Sequence, residues 1–178
     1  QPSSTLSLTN GTFRQSAGVN NLIYGTVTIG AGTSTLRTEG ASGGFSFNGG
    51  ATTLTGNLQL DNPLTQVTNT ATFTGAGRLI NLPGRQLAPD NLATMNVLVE
   101  NRGILTPGGT GVARNDMLDY VQTAAGSLAV NLNGSGIGNF DRLIVNGNAQ
   151  LAGTLQLSLG GGYVPALNDT LTVVSATA

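Results

Sequence analysis

A five-residue phrase, glycine followed by alternating polar and apolar residues, recurs along the chain and constrains its fold more than any other feature. Alternation with a period of two places the apolar side chains on one face of a β-strand, and the preceding glycine suits the corner where the backbone turns. Each phrase therefore predicts one turn and one half-buried strand. The clearest copies occupy residues 25–29, 56–60, 126–130, 147–151 and 153–157.

The spacing of the phrases predicts stacked coils. Successive glycines at positions 56, 77, 103, 126 and 147 are separated by 21, 26, 23 and 21 residues, a suitable length for one solenoid coil of about three short strands. A β-sandwich or meander would require many hairpin signals, but the chain has few Asn-Gly pairs, the first being Asn10-Gly11. The pattern favours an all-β, parallel solenoid, with the sandwich as the alternative.

The solenoid interpretation predicts which residues point inward and where the coils are interrupted. Residues 89–95, in which Asp90 suits a cap, and residues 115–122 are expected to be loop excursions rather than long helices. The turn-rich segment 107–111 divides solenoid coils, residues 1–106, from C-terminal coils and a cap of the same domain, residues 107–178. The residues expected to point inward are Leu58, Leu60, Leu79, Leu105, Leu128, Val130, Leu155 and Leu157.

The composition excludes several classes of function. With no Cys and no His, the chain lacks thiol nucleophiles, thiolate metal ligands, disulfides and the usual general base. Only 8% of residues are charged, and the seven basic residues are all arginines, with no basic stripe for nucleic acid. The 39% hydrophobic content and the net charge of -1 argue against a disordered coil. We therefore expect one folded domain with no metal and no cofactor.

No apolar stretch reaches the roughly 18 residues that a membrane-spanning helix needs. The beginning of the chain, Gln1-Pro2, has no basic region followed by an apolar run. We therefore expect neither a membrane span nor a retained signal peptide.

Four segments in the second half resemble a known family: residues 97–108, 126–130, 140–147 and 151–155, which contain Asn101-Arg102-Gly103 and Gly153-Thr154-Leu155. In order and spacing they are similar to the C-terminal part of autotransporter passenger domains and related secreted β-helix proteins of Gram-negative bacteria. The resemblance covers about the last 80 residues of the chain. It implies a right-handed parallel β-helix whose last coils form a stabilising cap, an extracellular or cell-surface location, and no particular ligand.

Candidate chemistry is sparse. Asp116 and Asp119 are the only acids close in sequence, and a local ion pair with Arg114 is the simpler interpretation. Asp141 is expected to anchor a turn by accepting backbone N–H bonds. The glycine-rich segments 107–109 and 160–162 lack the Lys-Ser/Thr pair of phosphate-binding loops, and the three tyrosines are too scattered for a glycan platform. We assign no catalytic, cofactor-binding or metal-binding residue.

Threonines recur at alternate positions, as in Thr26-x-Thr28, Thr33-x-Thr35 and Thr70-x-Thr72-x-Thr74. Such runs occur on ice-binding solenoids, although β-branching alone favours Thr on any exposed strand. The sequence predicts a non-enzymatic structural or adhesive segment of a secreted surface or matrix protein, whose partners are neighbouring coils, other copies, or a host surface or glycan. The alternatives are a polysaccharide-processing β-helix enzyme and an ice- or glycan-binding module.

Overall fold

The computed structural model describes residues 4–177, which form strands, turns and irregular segments without a helix. No segment of this part is therefore a helix that could cross a membrane. The predictions for the two chain ends involve Gln1, Pro2 and Ala178, which lie outside the described residues. The strands are β1 (Thr5–Leu8), β2 (Thr12–Gln15), β3 (Asn20–Ile23), β4 (Thr26–Ile29), β5 (Thr33–Thr38), β6 (Gly44–Asn48), β7 (Ala51–Leu54), β8 (Asn57–Asp61), β9 (Leu64–Thr68), β10 (Thr72–Asn81), β11 (Gln86–Pro89), β12 (Thr94–Asn101), β13 (Ile104–Leu105), β14 (Arg114–Gln122), β15 (Ser127–Leu132), β16 (Arg142–Val145), β17 (Ala149–Gln150), β18 (Thr154–Leu159) and β19 (Val174–Ala176).

The strands stack as a parallel β-solenoid of about six turns. Each strand pairs in parallel with the strand one coil away, as in Thr5 with Thr26 and Thr72 with Thr94. One isolated antiparallel bridge joins Leu132, the last residue of β15, to Phe140. Parallel pairing throughout the described strands confirms the solenoid and excludes the sandwich.

Each coil passes through two sheets. The first two strands of a coil belong to the 12-stranded sheet, and the last strand of the coil belongs to the 7-stranded sheet. In three coils the first two strands merge into one long strand, which is β10, β12 or β14. The ladder continues across the predicted boundary at residue 106, because β13 pairs with β15. The apolar residues of both sheets meet in one core that runs from Val27 to Val145.

Most of the predicted inward residues are buried, but two are not. Leu58, Leu60, Leu79, Leu105, Leu128 and Val130 are at most 3% exposed. Leu155 and Leu157 are in register with Leu128 and Val130 and so lie on the inner face as predicted, but they are not covered and are 50% and 56% exposed. They lie on β18, the last strand of its sheet, and the following residues 160–173 contain no strand. The inner face of β18 is therefore open, and no cap that covers it is seen among the described residues.

Close contact between coils explains the glycines of the repeated phrase. A Cβ atom placed on Gly77 would collide with the carbonyl oxygen of Gly56, and one on Gly56 would collide with that of Gly30. These corners stack so closely that they have no room for a side chain.

The two expected loop excursions differ in outcome. Around residues 90–93 the chain turns, and the Asp90 carboxylate accepts hydrogen bonds from the N–H groups of Leu92 and Ala93, as expected of a capping residue. Residues 115–122 instead belong to β14, so the loop prediction is wrong there. The buried side chains of Met117 and Tyr120 are three residues apart because the pairing of β12 with β14 shifts register at this point.

Candidate functional site

The acidic side chains of the candidate pair have separate partners. Asp116 forms a two-point ion pair with Arg114, with nitrogen–oxygen distances of 2.9 and 3.0 Å, as predicted. Asp119 instead accepts a hydrogen bond of 2.8 Å from the backbone N–H of Asn148. Within residues 4–177 no three acidic side chains are placed to hold a metal ion. The structure thus brings no cluster of carboxylates together around this pair.

Asp141 accepts backbone N–H bonds as predicted, but from residues in or next to two other strands and not from the turn before its own strand. Its carboxylate is fully buried and accepts hydrogen bonds of 2.7 Å from the backbone N–H groups of Ala113 and Asn131. Burial raises the pKa of Asp141, and the two backbone hydrogen bonds act in the opposite direction. The contacts are those of a structural carboxylate that satisfies buried donors.

The corner after the 12-stranded sheet contains a buried polar column that the sequence analysis missed. Asn81 donates to the side-chain oxygen of Asn101 at 2.9 Å, and Asn101 donates to the Tyr120 hydroxyl at 3.3 Å. Tyr120 in turn donates to Gln122 at 2.8 Å, and Gln122 donates to the carbonyl of Thr154 at 3.1 Å. The side chains in this column therefore link successive coils through the interior.

A second polar column occupies the same corner in the first three coils. Gln15 donates to the Thr38 hydroxyl at 2.7 Å, Thr38 donates to Asn62 at 3.0 Å, and Asn62 donates to Thr65 at 3.2 Å. All four side chains are buried. The sequence does contain a signal for this column: a polar residue stands two positions after the last inward apolar residue of a strand, as in Leu36-Arg37-Thr38.

Charged residues form a chain of ion pairs on the outside of these coils. Glu39 contacts Arg14 and Arg37, at 2.6 and 3.3 Å, and Asp61 contacts Arg37 and Arg85, at 3.5 and 2.8 Å. The hydrogen bond from Arg14 is the main cause that lowers the pKa of Glu39. Glu39 and its two arginines are open to solvent, which screens these pairs, so they contribute little to stability, whereas the Asp61–Arg85 pair is more covered. Arg14, Arg37 and Arg85 are thus each paired with an acid on this surface.

The tyrosines and glycine-rich segments are placed apart. Tyr120 is fully buried, whereas Tyr24 is 56% exposed and lies at the N-terminal end of the solenoid. Gly108 and Gly161, with φ of 69° and 58°, lie in turns, as the sequence predicts for both segments. The described structure contains no aromatic platform built from these tyrosines.

The outer face of the first strand of each coil has two ranks of small polar residues. Thr26-x-Thr28 and Thr72-x-Thr74 fall on this face, whereas Thr33 and Thr35 lie on β5 and Thr70 lies in a turn. Parallel register aligns ten positions across five coils. The first rank is Thr5, Thr26, Ala51, Thr72 and Thr94, and the second is Ser7, Thr28, Thr53, Thr74 and Asn96.

The two ends of the solenoid are apolar. At the N-terminal end an open depression is lined by Leu6, Phe13, Leu22 and other residues. At the C-terminal end another is lined by residues that include Leu155 and Val174. Both depressions arise because a terminal coil has a neighbour on one side only in the described chain.

The ends and the threonine face are thus the surfaces most suited to an interaction. The ends combine exposed apolar side chains with unpaired strand edges, and the threonine face is regular and uncharged. Among residues 4–177, no three His, Cys, Asp or Glu side chains are grouped on either surface. In comparisons with protein-family models, curated proteins and solved structures, nothing matches this chain.

Proposed function

We propose that the chain is a structural or adhesive, non-catalytic segment of a secreted bacterial cell-surface or extracellular-matrix protein. The observation that supports this most is the continuous parallel ladder, in which backbone hydrogen bonds join each coil to the next and two buried polar columns add side-chain links between most of them. Such a body is rigid without disulfides, which suits a stalk or spacer outside the cell. The resemblance of segments 97–108, 126–130, 140–147 and 151–155 to autotransporter passenger domains favours the same location.

Antibodies raised against the folded chain test the location. On intact cells of the source bacterium they should label the surface or the surrounding matrix, and mild protease treatment of whole cells should remove the label. An abundant cytoplasmic protein provides the control for cell integrity. Label that is found only after lysis would contradict the proposal.

The proposed partners are adjoining coils of the same polypeptide or further copies of the chain, which meet at the solenoid ends. Exposed Leu155 and Leu157 at one end and Leu22, 54% exposed, at the other support this. Unpaired strand edges favour addition of another strand. A host surface or glycan is a further proposed partner, for which no particular contact site is assigned.

The dispersed acids give no support to a polysaccharide-processing enzyme. We predict that the folded chain neither hydrolyses nor cleaves common bacterial and plant polysaccharides. The assay is release of reducing ends or unsaturated products over long incubation. Turnover that the Asp116→Asn or Asp119→Asn variant abolishes, while both variants remain folded, would overturn this prediction.

A further inference from the structure

The threonine face, defined as the ten positions of the two ranks described above, is chemically uniform. Seven of the ten residues are Thr and one is Ser, and the exceptions are Ala51 and Asn96. All are exposed except Thr72, which is half-buried. The charged pair Arg114–Asp116 bounds the face on the next coil, because Asp116 is in register with Thr94. The face is therefore an uncharged strip that extends across five coils.

The hydroxyl groups of this face are available to an external partner. Among the described residues, only the Thr72 hydroxyl of this face makes a hydrogen bond within the protein, to the carbonyl of Gly50 at 3.4 Å. When stacked threonines share one rotamer, their hydroxyl oxygens repeat at the strand spacing of about 4.8 Å, which is too long for a direct hydrogen bond. Each hydroxyl must therefore bond to solvent or to a bound surface.

The face is also rigid and regular. Its strands pair without a register shift from Thr5 to Thr74, and the first irregularity follows Thr74. On the opposite side of the same strands, Val27, Thr52 and Phe73 are buried in the body of the solenoid. β-Branching restricts the χ1 angle of each Thr, so the hydroxyl and methyl groups can repeat with the period of the coils.

That period fits a lattice of tetrahedrally bonded water. Hydrogen-bonded water oxygens are about 2.75 Å apart, so two oxygens that share one tetrahedral neighbour are about 4.5 Å apart. The stacking distance of about 4.8 Å is close to this value. One water molecule can therefore bridge each pair of stacked hydroxyls, while the methyl groups need no polar partner.

We propose that the threonine face binds the surface of ice. The ligand is the ordered water lattice itself, held by the repeated hydroxyl and methyl groups of the two ranks. A flat polysaccharide fits this face less well, because none of the ten positions is aromatic and sugar rings favour aromatic surfaces. The proposal is independent of the structural role proposed above, since either activity can exist without the other.

Thermal hysteresis and inhibition of ice recrystallisation, measured with the full chain, test the proposal. The Thr53→Tyr variant places a ring at the centre of the face and should lose both activities, because the ring holds the lattice away from neighbouring hydroxyls. Thr28→Tyr, one coil away, provides a second variant with the same expected loss. The matched control is Thr154→Tyr, an exposed position on the outer face of β18 in the other sheet, which should keep wild-type activity. Circular dichroism and thermal melting verify that each variant is folded.

Three results would overturn the proposal. The first is a folded wild-type chain with no more activity than an unrelated protein of similar size. The second is equal loss, or no loss, in the face variants and the control. The third is binding to an uncharged crystalline polysaccharide that is sensitive to Thr53→Tyr, without any activity on ice.

Discussion

At the scale of single residues, the corner of the coil contains polar side chains where alternation alone would place apolar ones. Asn81, Asn101 and Gln122 follow inward apolar residues by two positions and are nearly inaccessible to solvent. Their amides bond to the next coil and to backbone carbonyls of the turn that follows. Each amide thus satisfies groups that the turn leaves without strand partners, and losing one leaves several buried groups unsatisfied.

Replacement of Asn101 by Ala should destabilise the fold strongly. The change removes the partner of Asn81, Tyr120 and the Ser127 carbonyl, and each buried group without a partner costs about 1–3 kcal/mol. The free energy of unfolding from urea denaturation measures the effect. Asn96→Ala is the matched control on the exposed face of the same strand, and equal losses in the two variants would contradict the role of the column.

Tyr120 should make the fold sensitive to alkali. Burial raises the pKa of Tyr120 well above its ordinary value, so the folded chain keeps a proton that the unfolded chain releases above about pH 10. The stabilisation is complete below that pH and is lost as pH rises, by up to about 1.4 kcal/mol per pH unit. Denaturation curves across this range should show the loss in the wild type.

The Tyr120→Phe variant cannot ionise at this position, so it should lose less stability on going to high pH. At neutral pH its free energy of unfolding should be lower than that of the wild type, because the hydrogen bonds with Asn101 and Gln122 are lost. Tyr24→Phe, at an exposed position, should keep the wild-type pH dependence. Identical alkaline slopes in the wild type and Tyr120→Phe would show that another group is responsible.

At the scale of strands, alternation predicts the elements well but not their surroundings. The repeated phrase placed β4, β8, β15 and β18 correctly, because a period of two has one structural meaning in a short segment. It could not predict that β18 has an open inner face, since a covered and an uncovered strand have the same pattern. The sequence did not predict β14, because Met117 and Tyr120 are three residues apart, an interval typical of helices. Here that interval results from the register shift between β12 and β14.

The candidate surfaces were less predictable than the strands. Thr26-x-Thr28 and Thr72-x-Thr74 were evident in the sequence, but their alignment depends on register across coils of unequal length. Partners in the first rank are separated by 21, 25, 21 and 22 residues, so no fixed repeat aligns them. Thr33 and Thr35 have an equivalent motif but lie on β5, the second strand of their coil, and so are not on this face.

The same truncation should have different effects in β8 and β18. Leu58→Ala removes a fully buried side chain and should cost about 2–5 kcal/mol. Leu157→Ala should cost much less, because the side chain is already 56% exposed. Urea denaturation of the two variants measures the difference. Similar losses at both positions would indicate that the face of β18 is covered in solution.

At the scale of the whole molecule, the ends determine how the solenoid associates. The sequence predicts the N-terminal edge to be the more adhesive, because no charged residue precedes Arg14 and only Pro2 protects that edge. The described residues show exposed apolar side chains at both ends, including Leu22 at the first and Leu157 at the last. End-to-end contact would bury these residues and pair the open strand edges.

The purified chain should therefore form concentration-dependent oligomers. Sedimentation velocity over a dilution series should show an average mass that increases with concentration in the wild type. Leu157→Lys and Leu22→Lys should each reduce it by adding a charge to an apolar end, whereas Gln156→Lys, on the outer face of the same strand as Leu157, should not. A wild type that stays monomeric throughout the series would refute end-to-end association.

The pairing of each strand with the strand one coil earlier also determines how the chain can acquire its structure. Registered partners such as Thr72 and Thr94 are close in sequence, so a new coil needs only the preceding coil as its template. Folding can therefore proceed from one end, coil by coil, as the chain emerges from a narrow passage. Because the described strands pair only with strands of neighbouring coils, coils can be duplicated or deleted during evolution, and the length of such a body can change without redesign of its core.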